Sequence, residues 1–171
     1  QPGGMIPHYE DDLGKWAAPF IMATINTKNV HRTNFLLGHP YGKDFRYDEM
    51  MLTSPGDAGK AAANAVVDML KNPFGAKPPK PGEGPSKEER ENGHYDVVFI
   101  GEWPDGQRLH YGVKGRYDPG YGSTSRMLAE TGIALLTSDA KGGVGTPGAF
   151  LGEALVERLR EHAALTFAVE E

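Results

Sequence analysis

The strongest constraint on the fold is a pair of β-rich segments joined by a three-residue turn. The segments run from Tyr95 to Trp103 and from Gln107 to Tyr117, and Pro104-Asp105-Gly106 lies between them. Proline fixes its own φ angle and glycine tolerates positive φ, so these residues favour a tight reversal of the chain. The sequence therefore predicts an antiparallel β-hairpin.

The second segment of this hairpin alternates between apolar and basic side chains. One face carries Leu109, Tyr111 and Val113, and the other carries His110, Lys114 and Arg116. Because successive side chains of a strand point to opposite faces, this alternation is typical of a sheet that is covered on one side only.

Five stretches carry helical periodicity or helix-start signals. They run from Pro19 to Leu37, from Ser54 to Lys71, from Ser86 to Gly93, from Ser123 to Thr137 and from Pro147 to Glu161. Pro19 suits a first helical turn, and Ser86 with Glu89 has the spacing of a capping box. In the fourth stretch Leu128, Thr131, Gly132 and Leu135 form one stripe.

Two further runs predict strands, at Asp44–Thr53 and at Leu165–Glu170. The proline-rich run from Gly75 to Pro85 predicts an exposed connection. Helices and antiparallel strands without a regular βαβ alternation predict an α+β fold, with a mixed, mainly antiparallel sheet and helices packed on one of its faces. At 171 residues the chain is expected to form one domain.

Composition excludes several classes of function. A net charge of −5 gives no basic field for nucleic acid, and the absence of cysteine excludes disulfides, thiolate catalysis and cysteine-ligated metals. No apolar run approaches the roughly 20 residues of a membrane-spanning helix, and no signal peptide is recognised. These features favour a cytoplasmic protein.

The loop from Asp118 to Ser125, with the sequence DPGYGSTS, is the most suggestive binding feature. Its glycines would let the backbone approach a ligand, and Tyr121, Ser123 and Ser125 would supply hydroxyl groups beside a helix N-terminus, which favours anions. The alternative interpretation is that the hydroxyl residues only cap the helix and the glycines only turn the chain.

The glycine-rich run from Lys141 to Gly148 matches neither the Walker phosphate loop nor the G-x-G-x-x-G dinucleotide fingerprint. No cofactor site is therefore assigned to this chain. The six histidines lack the spacing of a catalytic metal site, so no metal is expected. In the first predicted helix, Asn26 and Arg32 belong to a polar group that faces either a ligand cleft or solvent.

The string WAAPFIMATINTKNVHRTNFLLG from Trp16 to Gly38 resembles the middle of saccharopine dehydrogenase-like proteins, including trans-acting enoyl reductases. Further strings resemble the C-terminal half of that family in the same order: PGEGPSKEER from Pro81, DPGYGSTSRMLAE from Asp118 and GGVGTPGAFLGEALVERL from Gly142. Together they cover most of the chain.

The resemblance implies a two-domain enzyme in which an N-terminal Rossmann domain holds NAD(P) and a C-terminal α+β domain forms the other wall of the cleft. Residues 1–171 would be that C-terminal, substrate-side and dimerisation domain, without the Rossmann partner and inactive alone. Its substrate would be an enoyl group or an amino-dicarboxylate, bound near Asn26, Arg32, Tyr121, Ser123 and Ser125, and no catalytic residue is assigned. A homodimer is left open.

A second hypothesis is a non-catalytic α+β module that binds an acyl or acidic small molecule or mediates oligomerisation. An exposed surface left by a missing partner would favour the first hypothesis. The apolar or polar character of an exposed sheet face would test an oligomerisation role.

Overall fold

The structure is a computed structural model that describes residue 4, residues 6–71, residue 80 and residues 82–170. These residues divide into two compact units, Gln1–Lys80 and Pro81–Glu171. Each unit combines one three-stranded antiparallel sheet with helices. The α+β class is therefore confirmed, with two small sheets where the sequence predicted one. That residues 1–171 form a single substrate-side domain stays a prediction.

The described residues of the first unit form three short strands and two helices. In chain order these are β1 (His8–Glu10), β2 (Lys15–Pro19), α1 (Ala23–Leu36), β3 (Met50–Leu52) and α2 (Gly56–Lys71). Strand β2 lies in the centre of the sheet and pairs antiparallel with both neighbours.

Small residues set the contact between α2 and β2. Ala17 and Ala18 on β2 and Gly59 and Ala63 on α2 are all buried. A Cβ atom at Gly59 would collide with the backbone carbonyl of Ser54, so only glycine permits this approach. The small residues at the start of α2 therefore act in packing.

Two predictions for the first unit are wrong in their boundaries. Pro19 does not start a helix but ends β2, where it is buried opposite Met50, and α1 begins only at Ala23. The predicted strand from Asp44 to Thr53 is reduced to β3, its last part. The helix predicted after Ser54 is confirmed, with Asp57 in its first turn.

In the second unit, residues 82–170 form three helices and three strands. In chain order these are α3 (Lys87–Asn92), β4 (His94–Glu102), β5 (Arg108–Arg116), α4 (Gly122–Leu136), α5 (Pro147–His162) and β6 (Leu165–Glu170). The sheet has the order β4-β5-β6 and every pair is antiparallel.

The local signals in this unit are confirmed. The hairpin forms as predicted, with Trp103 N–H donating to the Gln107 carbonyl across the turn. Ser86 and Glu89 form a reciprocal capping box at the start of α3. Thr146 caps α5 and Pro147 occupies its first turn.

Helices α4 and α5 pack against each other around Ala134 and Leu155, which are buried. Arg158 Nε of α5 lies 2.7 Å from Glu130 Oε2 of α4, and both atoms are buried. The stripe predicted for α4 does not face this core. Leu128 is 72% exposed and Leu135 is 42% exposed, because α4 turns its Ser123 and Ala134 side inward.

Most of the proline-rich connection predicted from Gly75 to Pro85 lies outside the described residues. Within the part of the chain that the structure describes, none of the helices has the length and apolar character needed to cross a membrane.

Candidate functional site

The loop that precedes α4 is organised around the side chain of Asp118. Its carboxylate accepts hydrogen bonds from the backbone N–H groups of Gly120 at 2.9 Å, Tyr121 at 3.2 Å and Gly122 at 2.5 Å. The N–H of Gly122 first, then those of Gly120 and Tyr121 with the nearby charge of Arg90, lower the pKa of Asp118 below its ordinary value. The carboxylate is therefore held ionised at the start of the helix.

The Asp118 carboxylate occupies backbone N–H groups that an anionic ligand would need. The N–H of Ser123 also donates to the backbone carbonyl of Asp118 at 2.8 Å, and the N–H of Ser125 donates to the carbonyl of Tyr121. Free N–H groups are what make a helix N-terminus attractive to anions. Since Asp118 already occupies this position, the loop has the contacts of a self-capped helix start.

The three predicted residues of this loop have different surroundings. Ser123 is fully buried, and its Oγ lies 2.8 Å from the phenolic oxygen of Tyr95. Ser125 is exposed, and its hydroxyl donates weakly to the carbonyl of Gly122 at 3.4 Å. Tyr121 is 59% exposed. Tyr121 and Ser125 can therefore reach a ligand, whereas Ser123 is enclosed by its own unit.

Glycines around this loop allow close packing. A Cβ at Gly115 would overlap the ring of Tyr95, and one at Gly122 would lie 2.7 Å from the carbonyl oxygen of Arg90. The guanidinium of Arg126 covers the ring of Tyr117 at 3.8 Å and donates to the carbonyl of Gly122. These contacts explain the glycines without a ligand.

A second polar cluster, not predicted from the sequence as a site, joins α1 to the segment before β3. Asn26 Nδ2 donates to Glu49 Oε2 at 2.9 Å, and the Tyr47 hydroxyl donates to Glu49 Oε1 at 2.9 Å. Both oxygens of the Glu49 carboxylate thus accept hydrogen bonds from uncharged donors, one on α1 and one in the segment before β3. We call these three residues the Glu49 cluster.

Burial, followed by the hydrogen bond to Glu49, raises the pKa of Tyr47 far above its ordinary value. Tyr47 is therefore a protonated hydrogen-bond donor at neutral pH. A carboxylate paired with a phenol can hold a polar ligand group or relay a proton. The raised pKa makes Tyr47 a weak acid, so the cluster is better suited to binding and positioning.

An aromatic layer lies beside the Glu49 cluster. The centroid of the Phe45 ring lies 5.6 Å from the ring centroid of His31, 5.4 Å from that of Tyr41 and 6.3 Å from that of Tyr47. The buried side chain of Asn34 fixes the same segment, because it donates to the carbonyl of Gly42 and accepts from the N–H of Tyr41.

The structure therefore separates the five predicted residues into two groups. Asn26 and Arg32 lie on α1 of the first unit, where Asn26 is half-buried in the Glu49 cluster and Arg32 is exposed. Tyr121, Ser123 and Ser125 lie in the second unit. Sequence reasoning missed Tyr47 and Glu49 because their alternation with Arg46 and Asp48 was interpreted as a strand.

The second unit also has an open groove of about 400 Å³ between α4 and α5, and its lining includes Leu151, Ala154, Glu157, Arg158 and Glu161. The two glutamates make this groove unfavourable for an acidic ligand. Among the residues that the structure describes, no group of three or more histidine, aspartate or glutamate side chains could hold a metal ion.

Comparisons with known proteins identify relatives for most of the chain. A Mycobacterium ulcerans protein named trans-acting enoyl reductase is 33% identical over 174 residues, covering 91% of this chain and 41% of its own length. A Mycobacterium tuberculosis protein of the same name is 34% identical over 165 residues, covering 85% of this chain and 39% of its own length.

Another Mycobacterium tuberculosis protein, provisionally given that name, is 38% identical over 166 residues, with the same coverage of 85% and 39%. No protein-family model matches the chain, and no solved structure matches it. The relatives support the predicted resemblance to trans-acting enoyl reductases, whereas the wider saccharopine dehydrogenase-like family stays a prediction. The chain is similar to trans-acting enoyl reductases over most of its own length and spans about two-fifths of theirs.

Proposed function

We propose that this chain is the C-terminal, substrate-side part of an NAD(P)-dependent enoyl reductase and is inactive alone. The observation that carries the proposal is the unequal coverage of the matches. Named reductases match 85% to 91% of this chain, yet the matched region is only 39% to 41% of their length. Some three-fifths of a relative therefore lies outside the part that this chain resembles.

The topology of the described sheets supports a dinucleotide site outside this chain. A Rossmann domain binds its dinucleotide at the ends of parallel strands, after a glycine-rich turn. Both described sheets are antiparallel throughout. The part of the protein outside this chain would therefore hold NAD(P), which supplies the hydride when bound.

The chain itself would bind and orient the substrate. Each unit offers its own candidate contacts. In the second unit Tyr121 and Ser125 present exposed hydroxyl groups beside α4, and in the first unit the hydrogen bond to Glu49 fixes the orientation of Asn26 on α1. Arg32 adds an exposed positive charge, which suits a substrate with an acidic group. We assign no catalytic acid. A cytoplasmic location and a homodimer also belong to this proposal.

The test compares this chain with a longer protein that contains it and a Rossmann domain. Each is mixed with an enoyl thioester and either NADPH or NADH, and oxidation of the dinucleotide is followed by absorbance. We expect turnover by the longer protein only. Turnover by the 171-residue chain alone would contradict the proposal.

A control within the longer protein separates substrate binding from folding. Tyr121→Phe removes one exposed hydroxyl and is expected to raise KM several-fold with an unchanged unfolding midpoint. An unchanged KM would remove Tyr121 from the proposed substrate surface.

A further inference from the structure

Helix α4 has one exposed side without a charged residue. Leu128 is 72% exposed on this side and Leu136 is 87% exposed. The other residues of the same side are exposed as well, and they recur every three or four positions, as residues on one side of a helix do. We call this side the exposed α4 face: Tyr121, Ser125, Leu128, Gly132, Leu135 and Leu136.

The two charged residues of α4 lie away from this face and contact their own unit. Glu130 Oε2 lies 2.7 Å from Arg158 Nε of α5, and the guanidinium of Arg126 covers the ring of Tyr117. A helix that borders solvent normally has the opposite arrangement, with charged residues outside and leucines inside. Exposed apolar helix residues of this kind are typical of a surface that another part of a protein covers.

Gly132 lies in the middle of the exposed α4 face. A Cβ atom there would meet no other atom within 4 Å, so no contact within the described part of the chain requires a glycine. Glycine weakens the interior of a helix relative to alanine, but it lets another backbone or side chain approach closely. Between Leu128 and Leu135 the face therefore has room for a residue of a partner.

The proposed function requires a partner at one end of this face. Tyr121 and Ser125, the proposed substrate contacts, lie at the N-terminal end of the exposed α4 face. In hydride transfer the dinucleotide must come within about 3 to 3.5 Å of the substrate. The part of the protein that holds NAD(P) must therefore approach this end of α4, and from there the face continues for about 22 Å to Leu136.

We infer that the NAD(P)-holding part of the longer protein packs on the exposed α4 face. The inference rests on the proposed function and adds the surface through which the two parts meet. The partner surface should itself be apolar and uncharged, because the exposed α4 face offers leucine side chains and no charge to pair with.

The size of the face favours a partner that is joined to this chain over a separate molecule. A length of about 22 Å and a width of roughly 10 Å give on the order of 200 Å². A stable interface between separate proteins uses about 800 Å² per partner. In the relatives, the matched region and the unmatched remainder belong to one chain. Such a link raises the effective concentration of the two parts, so that a small contact is sufficient.

The first test uses the absence of cysteine from this chain. Leu128→Cys places a thiol on the exposed α4 face. Gln107→Cys is the control and places one at the hairpin turn, at the other end of β4 from the contact between Tyr95 and Ser123. Each variant is made in the 171-residue chain and in a longer protein that includes a Rossmann domain. The rate of alkylation by iodoacetamide is followed at each site by mass spectrometry.

We expect Leu128→Cys to react at least five-fold more slowly in the longer protein, and Gln107→Cys to react at the same rate in both. Equal rates for Leu128→Cys would overturn the inference. Slow alkylation of Leu128→Cys in the 171-residue chain alone would also overturn it, because a second copy or this chain itself would then cover the face. A longer protein that protects Leu128→Cys but oxidises no NADPH with an enoyl thioester would contradict the proposed function and leave the packing intact.

The second test places a charge on the face within the longer protein. Leu128→Lys should lower kcat at least ten-fold with an unchanged Kd for NADPH, because an unpaired charge opposes burial of the face but leaves the dinucleotide site intact. Gln107→Lys is the matched control and should change neither quantity, and circular dichroism checks that both variants are folded. A Leu128→Lys protein with the kcat of the control would overturn the inference.

Discussion

The hydroxyl oxygens of Tyr95 and Ser123 lie 2.8 Å apart and share a hydrogen bond that joins β4 to α4. Ser123 is fully buried, and the ring of Tyr95 lies where a side chain on Gly115 would otherwise stand. These three positions form one structural contact between the sheet and the helix. Ser123, which the sequence predicted to bind substrate, is therefore packed inside the second unit.

Removing either hydroxyl of this pair should lower stability. Tyr95→Phe leaves Ser123 Oγ buried without its partner, which costs about 1 to 3 kcal/mol, and Ser123→Ala should cost about 1 kcal/mol. The double variant should lose less than the sum of the two, because it removes both members of the pair. Urea unfolding of the four proteins provides the measurement, and additive losses would contradict the coupling.

Gly115→Ala should destabilise the second unit by about 1 to 3 kcal/mol, because the added methyl group must displace the ring of Tyr95. Gly132→Ala is the matched control. Its Cβ would meet no atom within 4 Å, and alanine in a helix interior is favoured by about 0.5 to 1 kcal/mol. Thermal unfolding should show opposite signs for the two variants, and a stable Gly115→Ala protein would contradict the packing.

The sequence predicted those features that depend on neighbouring residues. The hairpin at Pro104-Asp105-Gly106 and the capping box of Ser86 with Glu89 follow from local backbone chemistry, and both are confirmed. Pro19 was misplaced because its environment depends on Met50, a strand partner far along the chain.

Dependence on partners far along the chain also explains why the sequence did not predict the Glu49 cluster. Phe45 and Tyr47 have the alternation of a strand, but their rings pack with each other, and Phe45 also packs against His31 of α1. Periodicity does not identify which partner covers a side chain. The exposed Leu128 of α4 shows the same limit, since an apolar stripe indicates a buried face without indicating what buries it.

The cap that Asp118 forms on α4 should depend on pH. Its folded-state pKa lies below the ordinary value, so its contribution is fully present above the unfolded pKa of about 3.9 and is lost as pH falls through the lowered pKa. Asp118→Asn should therefore lower the urea midpoint at pH 7, and the difference from the unaltered protein should shrink toward pH 2. A difference that is independent of pH would contradict an ionised cap.

Charge at the Glu49 cluster can be tested with Asn26→Asp. This change would place a second carboxylate about 3 Å from Glu49, with a repulsion on the order of 2 kcal/mol at neutral pH. The repulsion requires both carboxylates to be ionised, so the loss should be present at pH 7 and shrink in acid. Asn26→Ala, the uncharged control, should show no such pH dependence in urea unfolding. Equal pH profiles would contradict the contact.

The most direct test of the proposed function is calorimetric titration with NADPH and with NADH. The 171-residue chain and a longer protein that includes a Rossmann domain would be compared at equal concentration. The proposal predicts binding heat from the longer protein only. Saturable binding to the 171-residue chain would contradict the claim that the dinucleotide is held elsewhere, and the loop from Lys141 to Gly148 would then be the first region to mutate.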